Sequence, residues 1–367
     1  MRIAYLCKRQ YMSYDVIADR YARLYEQPRQ LALRGHEVLG LCLSYRPTQA
    51  RDEWHPANPG RLRWIGLTPG HTGGLRYPHQ ALRLLRAFAP DVVVGASDAL
   101  LIILSRWLAG RLEKPLVIDL YDNFESFGLT GVPGVRRLYR QALRHAHGIS
   151  CISPALAHYI QTTCQPAGLV IALESTINAG QFRPMDRTAC RQQLGLPPSA
   201  RLIGTAGALD ASRGIDTLYR AFYQLTEHNP DIYLVLAGRT GSPIPAHPRI
   251  LYLGELPHDH IPAFFNALNI AIICIRDTAF GRYSFPQKAY EILACRIPLV
   301  AAALGSIGDL LKDAPDSLYR PDDDQDLASK ITRQLNQPRP PDLPVPTWAD
   351  QAEKLERLLV RTLSAKY

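Results

Sequence analysis

No run of about 18 apolar residues occurs in the 367-residue chain, so no membrane-spanning helix is expected. The apolar stretch behind Met1 is too short for a signal peptide and reads as a first β-strand. The seven cysteines are odd in number and form no Cys-x-x-Cys pair. Cys7, Cys42, Cys151 and Cys274 fall in predicted strands, which argues for reduced core thiols in a cytosolic protein and against a disulfide framework or a zinc site. No Asp-x-Asp stands near a strand end to hold a divalent ion; Asp322-Asp323-Asp324 lies before a helix and reads as a capping or solvated acidic run. RNA- and DNA-binding motifs are also missing, so the net charge of +9 does not point to nucleic acid. That charge is unevenly spread. Residues 1–180 hold 21 Lys and Arg against 13 Asp and Glu, eight of the nine surplus charges. A basic half suits an anionic membrane surface or a phosphorylated acceptor, although a generically basic protein would show it too.

What is present is 47% hydrophobic and 20% charged residues, the balance of a folded chain, and a length that exceeds one core and suggests two domains. Apolar, β-branched runs at Ile3–Cys7, Glu37–Cys42, Leu62–Leu67, Asp91–Gly95, Leu116–Leu120, Gly148–Ile152 and Val170–Glu174 alternate with helical patterns near Asp15–Arg34, Pro78–Phe88, Leu100–Arg111 and Val135–His147. The second half repeats the scheme. Strands are expected at Arg201–Thr205, Ile232–Ala237, Ile250–Leu253, Ile270–Ile275 and Leu299–Ala302, and helices near Gly214–Glu227, Ile261–Asn266, Pro286–Ala294 and Asp323–Gln337. Such alternation predicts parallel sheets with crossover helices. Phe182 to Ser199 reads as the linker. A proline-rich stretch, Pro338 to Pro346, cannot be helical and leads into a last amphipathic helix, Trp348–Leu363.

Two segments carry chemistry. Phe285-Pro286-Gln287-Lys288-Ala289-Tyr290-Glu291 reads as the start of a short helix at Pro286, with Lys288 and Glu291 on one face of its first turns. A cation there suits a phosphate and the carboxylate suits a sugar hydroxyl; an ordinary surface Lys/Glu pair has the same spacing. Upstream, Gly204-Thr205-Ala206-Gly207-Ala208 follows a strand, and Arg213-Gly214 opens a helix. Small residues in that turn let backbone amides approach a phosphate, and Arg213 can donate two aligned hydrogen bonds.

In this order the pieces resemble the GT-B glycosyltransferases of the family 4 type. The matching residues are Gly207-Ala208-Leu209-Asp210, Arg213 to Leu218, Leu234 to Gly238, Leu251 to Gly254, Pro286, Lys288, Glu291 and Pro298 to Ala301. In the first half they are Arg34 to Val38, Pro90 to Val94, Ser153, Asn178, Phe182 and Pro184. The resemblance covers nearly the whole chain. It implies an α/β fold of two doubly wound Rossmann-like domains facing across a cleft: a basic acceptor-binding domain over 1–182, a nucleotide-sugar domain over 183–346, and a terminal helix over 347–367 that packs back toward the first. Three positions depart from the family pattern. Ala208 stands where an Arg is usual and Arg213 where a Lys is. Tyr283 takes the place of the first Glu of Glu-x7-Glu, which leaves Glu291 in a Pro-x-Lys-x-x-Glu variant. A family His is replaced around Asp119 to Glu125, which makes Asp122 and Glu125 acidic candidates.

The implied donor site comprises Gly207, Ala208, Arg213, Gly238, Arg239, Asp277, Phe285, Lys288 and Glu291. Lys288 and Arg213 stabilise the departing diphosphate, and Asp122 joins them as a catalytic candidate. Asp122 is equally explained as a turn former and Arg239 as a solvated loop cation, and an isolated loop Asp such as Asp277 is more often a turn former. Acceptor contacts are expected from Lys8, Arg9, Tyr11, Asp122 and Glu125. The loop Gly70 to Tyr77 and the helix residues Arg136 to Arg140 add cations with aromatic neighbours. The expected activity is transfer of a sugar from a nucleoside diphosphate sugar to a glycan or polyprenyl-diphosphate-linked acceptor. The resemblance implies retention of configuration and neither metal nor further cofactor. The setting would be surface polysaccharide or glycolipid assembly, in the cytoplasm or peripherally on the inner membrane face. A nucleotide-sugar epimerase of the same fold, or a non-catalytic nucleotide-sugar-binding partner protein, would carry similar motifs.

Overall fold

A computed structural model describes residues 1–364 apart from 13, 47, 69–75, 127 and 179. The chain divides into two compact units, Met1–Ser175 with the segment from Trp348 onward, and Thr176–Thr347.

The first unit runs β1 (Arg2–Lys8), a small hairpin of β2 (Gln10–Tyr11) and β3 (Tyr14–Asp15), α1 (Ala22–Leu33), β4 (Glu37–Leu43), β5 (Arg51–His55), β6 (Arg61–Leu67), α2 (Tyr77–Phe88), β7 (Val92–Ala96), α3 (Ala99–Leu112), β8 (Leu116–Leu120), α4 (Val135–Arg144), β9 (Gly148–Cys151), α5 (Pro154–Cys164) and β10 (Leu169–Ala172). Its main sheet has the order β10-β9-β8-β7-β1-β4-β6-β5. Ile3 lies level with Val38 on one side and Val92 on the other, all in parallel register. Strands covered by helices on both faces must be apolar throughout, which is why Val92, Val93 and Val94 are all fully buried. Only β5 runs antiparallel. Its Arg51-Asp52-Glu53 sequence hid it from an apolar pattern, but charge is what an exposed edge strand carries.

Two helices differ from expectation. Where a helix is predicted from Asp15, α1 begins at Ala22, because the Asp15 carboxylate accepts from the backbone of Ile17 and Ala18 and from Arg9, closing the hairpin. No helix is expected after Ile152, yet Ser153 caps α5 by accepting from Leu156 N at 3.0 Å, and Pro154 supplies its first φ.

The second unit runs α6 (Arg187–Gln193), β11 (Arg201–Ala206), α7 (Ile215–His228), β12 (Ile232–Ala237), β13 (Ile250–Tyr252), α8 (Ile261–Ala267), β14 (Ile270–Ile273), α9 (Ala279–Tyr283), α10 (Lys288–Ala294), β15 (Leu299–Ala302), α11 (Gly305–Leu310), β16 (Leu318–Tyr319) and α12 (Asp324–Asn336). Its sheet, β13-β12-β11-β14-β15-β16, is parallel throughout. The helix α6, capped by Asp186, occupies part of the stretch read as linker. Strand β14 stops at Ile273, so Cys274 lies just beyond it rather than inside. All seven cysteines are free.

The chain then returns to the first unit as α13 (Trp348–Ser364). Leu355, Leu358 and Leu359 join that unit's core. Glu356 pairs with Arg34 at 2.5 Å and His36 at 2.6 Å. Among the described residues no helix is long and apolar enough to cross a membrane.

Candidate functional site

In the second unit the neighbouring strands β11 and β12 are each followed at once by a glycine. Gly207 and Gly238 have φ of +121° and +122°, which L side chains rarely adopt. The two turns touch: a Cβ on Gly238 would lie 2.0 Å from the Gly207 carbonyl oxygen. Gly207 N donates to Ala237 O at 2.9 Å and Gly238 N to Gly254 O at 2.7 Å, so both turns are hydrogen-bonded in place.

Lys288 is the first residue of α10, and its Nζ donates to Ala206 O at 2.7 Å. A side chain at position 207 would reach to 3.3 Å of that Nζ, so Gly207 leaves the ammonium room. Burial pushes the Lys288 ammonium down from the ordinary lysine range; Cys274 and Glu291 oppose this, and Arg213 adds to it. An arriving anion would oppose both the burial and the Arg213 charge that act on the Lys288 ammonium. Arg213 lies in a single turn, Ala211–Arg213, ahead of α7, with its guanidinium 3.7 Å from the centre of the Phe280 ring. Phe280, from α9, went unnoticed in the sequence because nothing in its spacing tied it to Arg213.

Glu291 is 8% exposed and accepts from Gln287 Nε2 at 3.3 Å. Burial raises its carboxyl to about 7, against the pull of Lys288 and Gln287. Native Glu291 holds its proton more tightly than the unfolded chain does. Its contribution to stability is therefore full below the ordinary value of 4.5 and is lost as pH rises through about 7. A ligand hydroxyl that donates to the carboxylate needs the ionised form. For the nucleoside diphosphate that the resemblance implies, affinity should then rise roughly tenfold from pH 6 to pH 8, as ionisation goes from about a tenth to nine tenths. Calorimetric titration across that range checks it, and Glu291→Gln should flatten the profile.

Other expected donor residues are placed differently. Phe285 is buried with its ring 4.8 Å from that of Tyr290, a packing role. Asp277 is exposed and held by Arg282 through two hydrogen bonds of 2.5 and 3.1 Å, which fits its reading as a turn residue. Arg239 faces Glu255 at 3.5 Å with both side chains largely exposed. Ala208 is exposed beside Gly207. Asp322, Asp323 and Asp324 are engaged locally: Asp323 caps α12, Asp324 pairs with Arg220 and Asp322 with Arg276. Among the described residues no three His, Cys, Asp or Glu converge as metal ligands.

In the first unit, Lys8 ends β1, and its Nζ lies 5.5 Å from the centre of the Tyr121 ring. Burial lowers the Lys8 ammonium while Asp98 and Asp122 pull it back up, so these three charges form one group. Tyr11 packs edge-on against Tyr121 at 5.0 Å. Asp122 Oδ1 accepts from Asn123 N at 2.8 Å. Asp98 went unnoticed as a site residue. It caps α3 and accepts from the Tyr45 hydroxyl at 3.0 and 2.9 Å.

Two expected acceptor residues are taken up internally. Arg9 is 2% exposed and bound to Asp15, Thr48 and the Gln49 carbonyl. Glu125 is buried, paired with Arg140 at 2.7 and 2.9 Å and with the Tyr159 hydroxyl at 3.0 Å. Burial works to raise its carboxyl, but Arg140 and Tyr159 hold it below the usual range. Of the helix cations, Arg140 is thus neutralised and Tyr139 is buried, while Arg136 and Arg137 stay exposed. Residues 70–75 of the expected basic loop lie outside the described residues.

Two α/β units, one on a sheet parallel but for the edge strand β5 and the other on a parallel sheet with glycine turns at the carboxyl ends of adjacent strands, define the GT-B fold. Solved structures share it: sucrose-phosphate synthase from Thermosynechococcus elongatus superimposes with a TM-score of 0.72 at 18% identity, over 99% of this chain and 96% of that one. HepE from Anabaena, in complex with UDP, does so with a TM-score of 0.68 at 16% identity, over 99% and 97%. Residues 22–171 match the Glycosyl transferase 4-like domain and residues 200–337 match Glycosyl transferases group 1. The chain belongs to the family 4 type of GT-B glycosyltransferases. It is 28% identical over 261 residues, 61% of each chain, to D-inositol 3-phosphate glycosyltransferase 1 of Catenulispora acidiphila. The first curated relatives are matched over 34% to 61% of their own length.

Proposed function

We propose that the protein transfers a sugar from a nucleoside diphosphate sugar to a glycan or polyprenyl-diphosphate-linked acceptor, with retention of configuration, in the assembly of a surface polysaccharide or glycolipid. The observation that carries the reading is the Lys288 ammonium, held on the Ala206 carbonyl beside the turn at Gly207 with a second cation, Arg213, acting on it. Negative charge builds on the departing diphosphate during transfer, and preorganised donors at that point are the main expected source of rate. Lys288 and Arg213 neutralise the diphosphate with no metal in this reading, so transfer should continue in the presence of a chelator. Glu291 accepts from the ribose, and Gly238 with Arg239 borders the base. The group of Lys8, Asp98, Tyr121 and Asp122 is the first-unit surface we assign to the acceptor, with Asp122 as its catalytic candidate. The family membership and the UDP bound to the Anabaena protein support starting with uridine nucleotides.

A thermal-shift panel of UDP, GDP, ADP, dTDP and CMP with their common sugars tests this. One diphosphate at about a hundredfold excess over its Kd should stabilise the protein by about 2.7 kcal/mol. No shift with any of them would sink the donor assignment. Conversion of the nucleotide sugar without an acceptor would replace transferase by epimerase, and binding without turnover would leave a partner protein.

A further inference from the structure

We propose that the face built by the turn Gly128–Gly131, α4 and the end of α3 docks on an anionic lipid bilayer. Apolar side chains would enter the interface, and a basic cavity beside them would take a lipid phosphate. The assignment is independent of the donor site, because lipid binding is read without turnover.

Three large apolar side chains stand out of this face: Leu129 is 53% exposed, Val132 46% and Leu138 47%. They belong to one continuous turn of chain. Val132 N donates to Leu129 O at 3.0 Å, Val135 N to Val132 O at 3.2 Å and Leu138 N to Gly134 O at 3.0 Å. Arg136 and Arg137 lie between them, exposed, with no hydrogen bond or ion pair to the described residues. Single exposed leucines are ordinary on a protein surface, but three within ten positions around two unpaired guanidinium groups are not.

The charge on this face has one sign. Residues 126–173 contain no Asp or Glu, and the preceding Glu125 is already neutralised by Arg140. At the far end of α4 an open cavity of about 410 Å³ is lined by Arg106, Trp107, Arg111, Lys114, His145 and His147 among others. Arg111 sits over the Trp107 ring at 5.3 Å. Glu113, the only carboxylate between Asp98 and Asp119, caps α3 and does not line the cavity. Leu138 and His145 are seven residues apart, so the apolar patch and the cavity share one stripe of the helix.

This layering is that of the bilayer interface, with apolar groups reaching below phosphates and arginine and tryptophan at their level. A protein partner matched to these cations would need a carboxylate surface and would still leave the leucines to cover. A nucleic acid would offer the phosphates but no hydrocarbon. An anionic bilayer offers both.

The test is co-sedimentation of the full chain with phosphatidylcholine vesicles and with the same vesicles containing phosphatidylglycerol. Each basic residue close to the surface contributes about a factor of five in affinity, so binding should favour the anionic vesicles by roughly tenfold or more, and Arg136→Glu with Arg137→Glu should weaken it by at least about 25-fold. Leu129→Ser with Leu138→Ser should weaken binding to anionic vesicles as well, which charge alone would not predict. Melting followed by circular dichroism at the wild-type temperature shows that each variant folds, and the serine pair serves if the glutamate pair does not. Equal sedimentation with both vesicle types, binding to neither, or anionic binding that survives both pairs of substitutions would overturn the proposal. A dimer lost in Leu138→Ser, with no vesicle binding, would do the same and assign the face to a second copy.

Discussion

Lys288→Ala lowers the rate of sugar transfer by about 100- to 1,000-fold, the range in which removal of one preorganised donor at a developing negative charge falls. The expectation rests on where the ammonium sits. Its Nζ is anchored on the Ala206 carbonyl at the end of β11, in space that Gly207 leaves open, and burial has already weakened its hold on its proton. A diphosphate there restores what burial removes, so the interaction strengthens as charge accumulates on the leaving group. Arg213→Ala should cost less, because Arg213 is half-exposed and stacked on Phe280 and can follow the phosphate only loosely. Lys288→Met keeps the length and apolar body of the side chain without the charge. Steady-state kinetics with the diphosphate sugar found by thermal shift measure all three. Lys288→Met within a few-fold of wild type would show that the ammonium only braces the Ala206 carbonyl.

Parts of this site were legible in the sequence because their chemistry is local. Lys288 and Glu291 are a helix turn apart, and Gly207 and Arg213 bracket the end of one strand and the start of the next helix, so spacing alone placed them. The contact between Gly207 and Gly238 was not legible, since it depends on two parallel strands ending at the same level. Arg9 and Glu125 show the same limit from the other side. Their residue types suit an acceptor site, but each meets its partner only in the folded chain, Arg9 across the hairpin and Glu125 against helices α4 and α5. Apart from β5 and the two-residue β16, the strands of both sheets followed from apolar runs because both faces are covered. The edge strand β5, with charge alternating into water, broke that pattern, and α5 was missed because its cap and proline signals follow a strand without a gap.

The largest expected loss of stability comes from a pair that does no chemistry. Arg23 and Asp119 are both fully buried, joined by hydrogen bonds of 2.9 and 2.6 Å. Arg23 also donates to Leu173 O at 2.6 Å, Ser150 Oγ donates to Asp119 at 2.6 Å, and Gln27 bridges the pair to the Tyr5 hydroxyl. The network thereby links α1 to β1, β8, β9 and the residue after β10, the segments that hold the first unit's sheet together. Removing one partner leaves a charge in the interior with nothing to balance it, and Asp119→Ala should destabilise the first unit by about 3–5 kcal/mol. Replacing both partners by apolar residues of similar size removes the desolvation cost along with the attraction. Arg23→Met with Asp119→Leu should therefore lose less than either single change, a coupling that additive contacts would not produce. Urea unfolding followed by intrinsic fluorescence reads the cycle. An Asp119→Ala midpoint equal to wild type would mean that water reaches Arg23 and that the buried pair is not what ties α1 to the sheet.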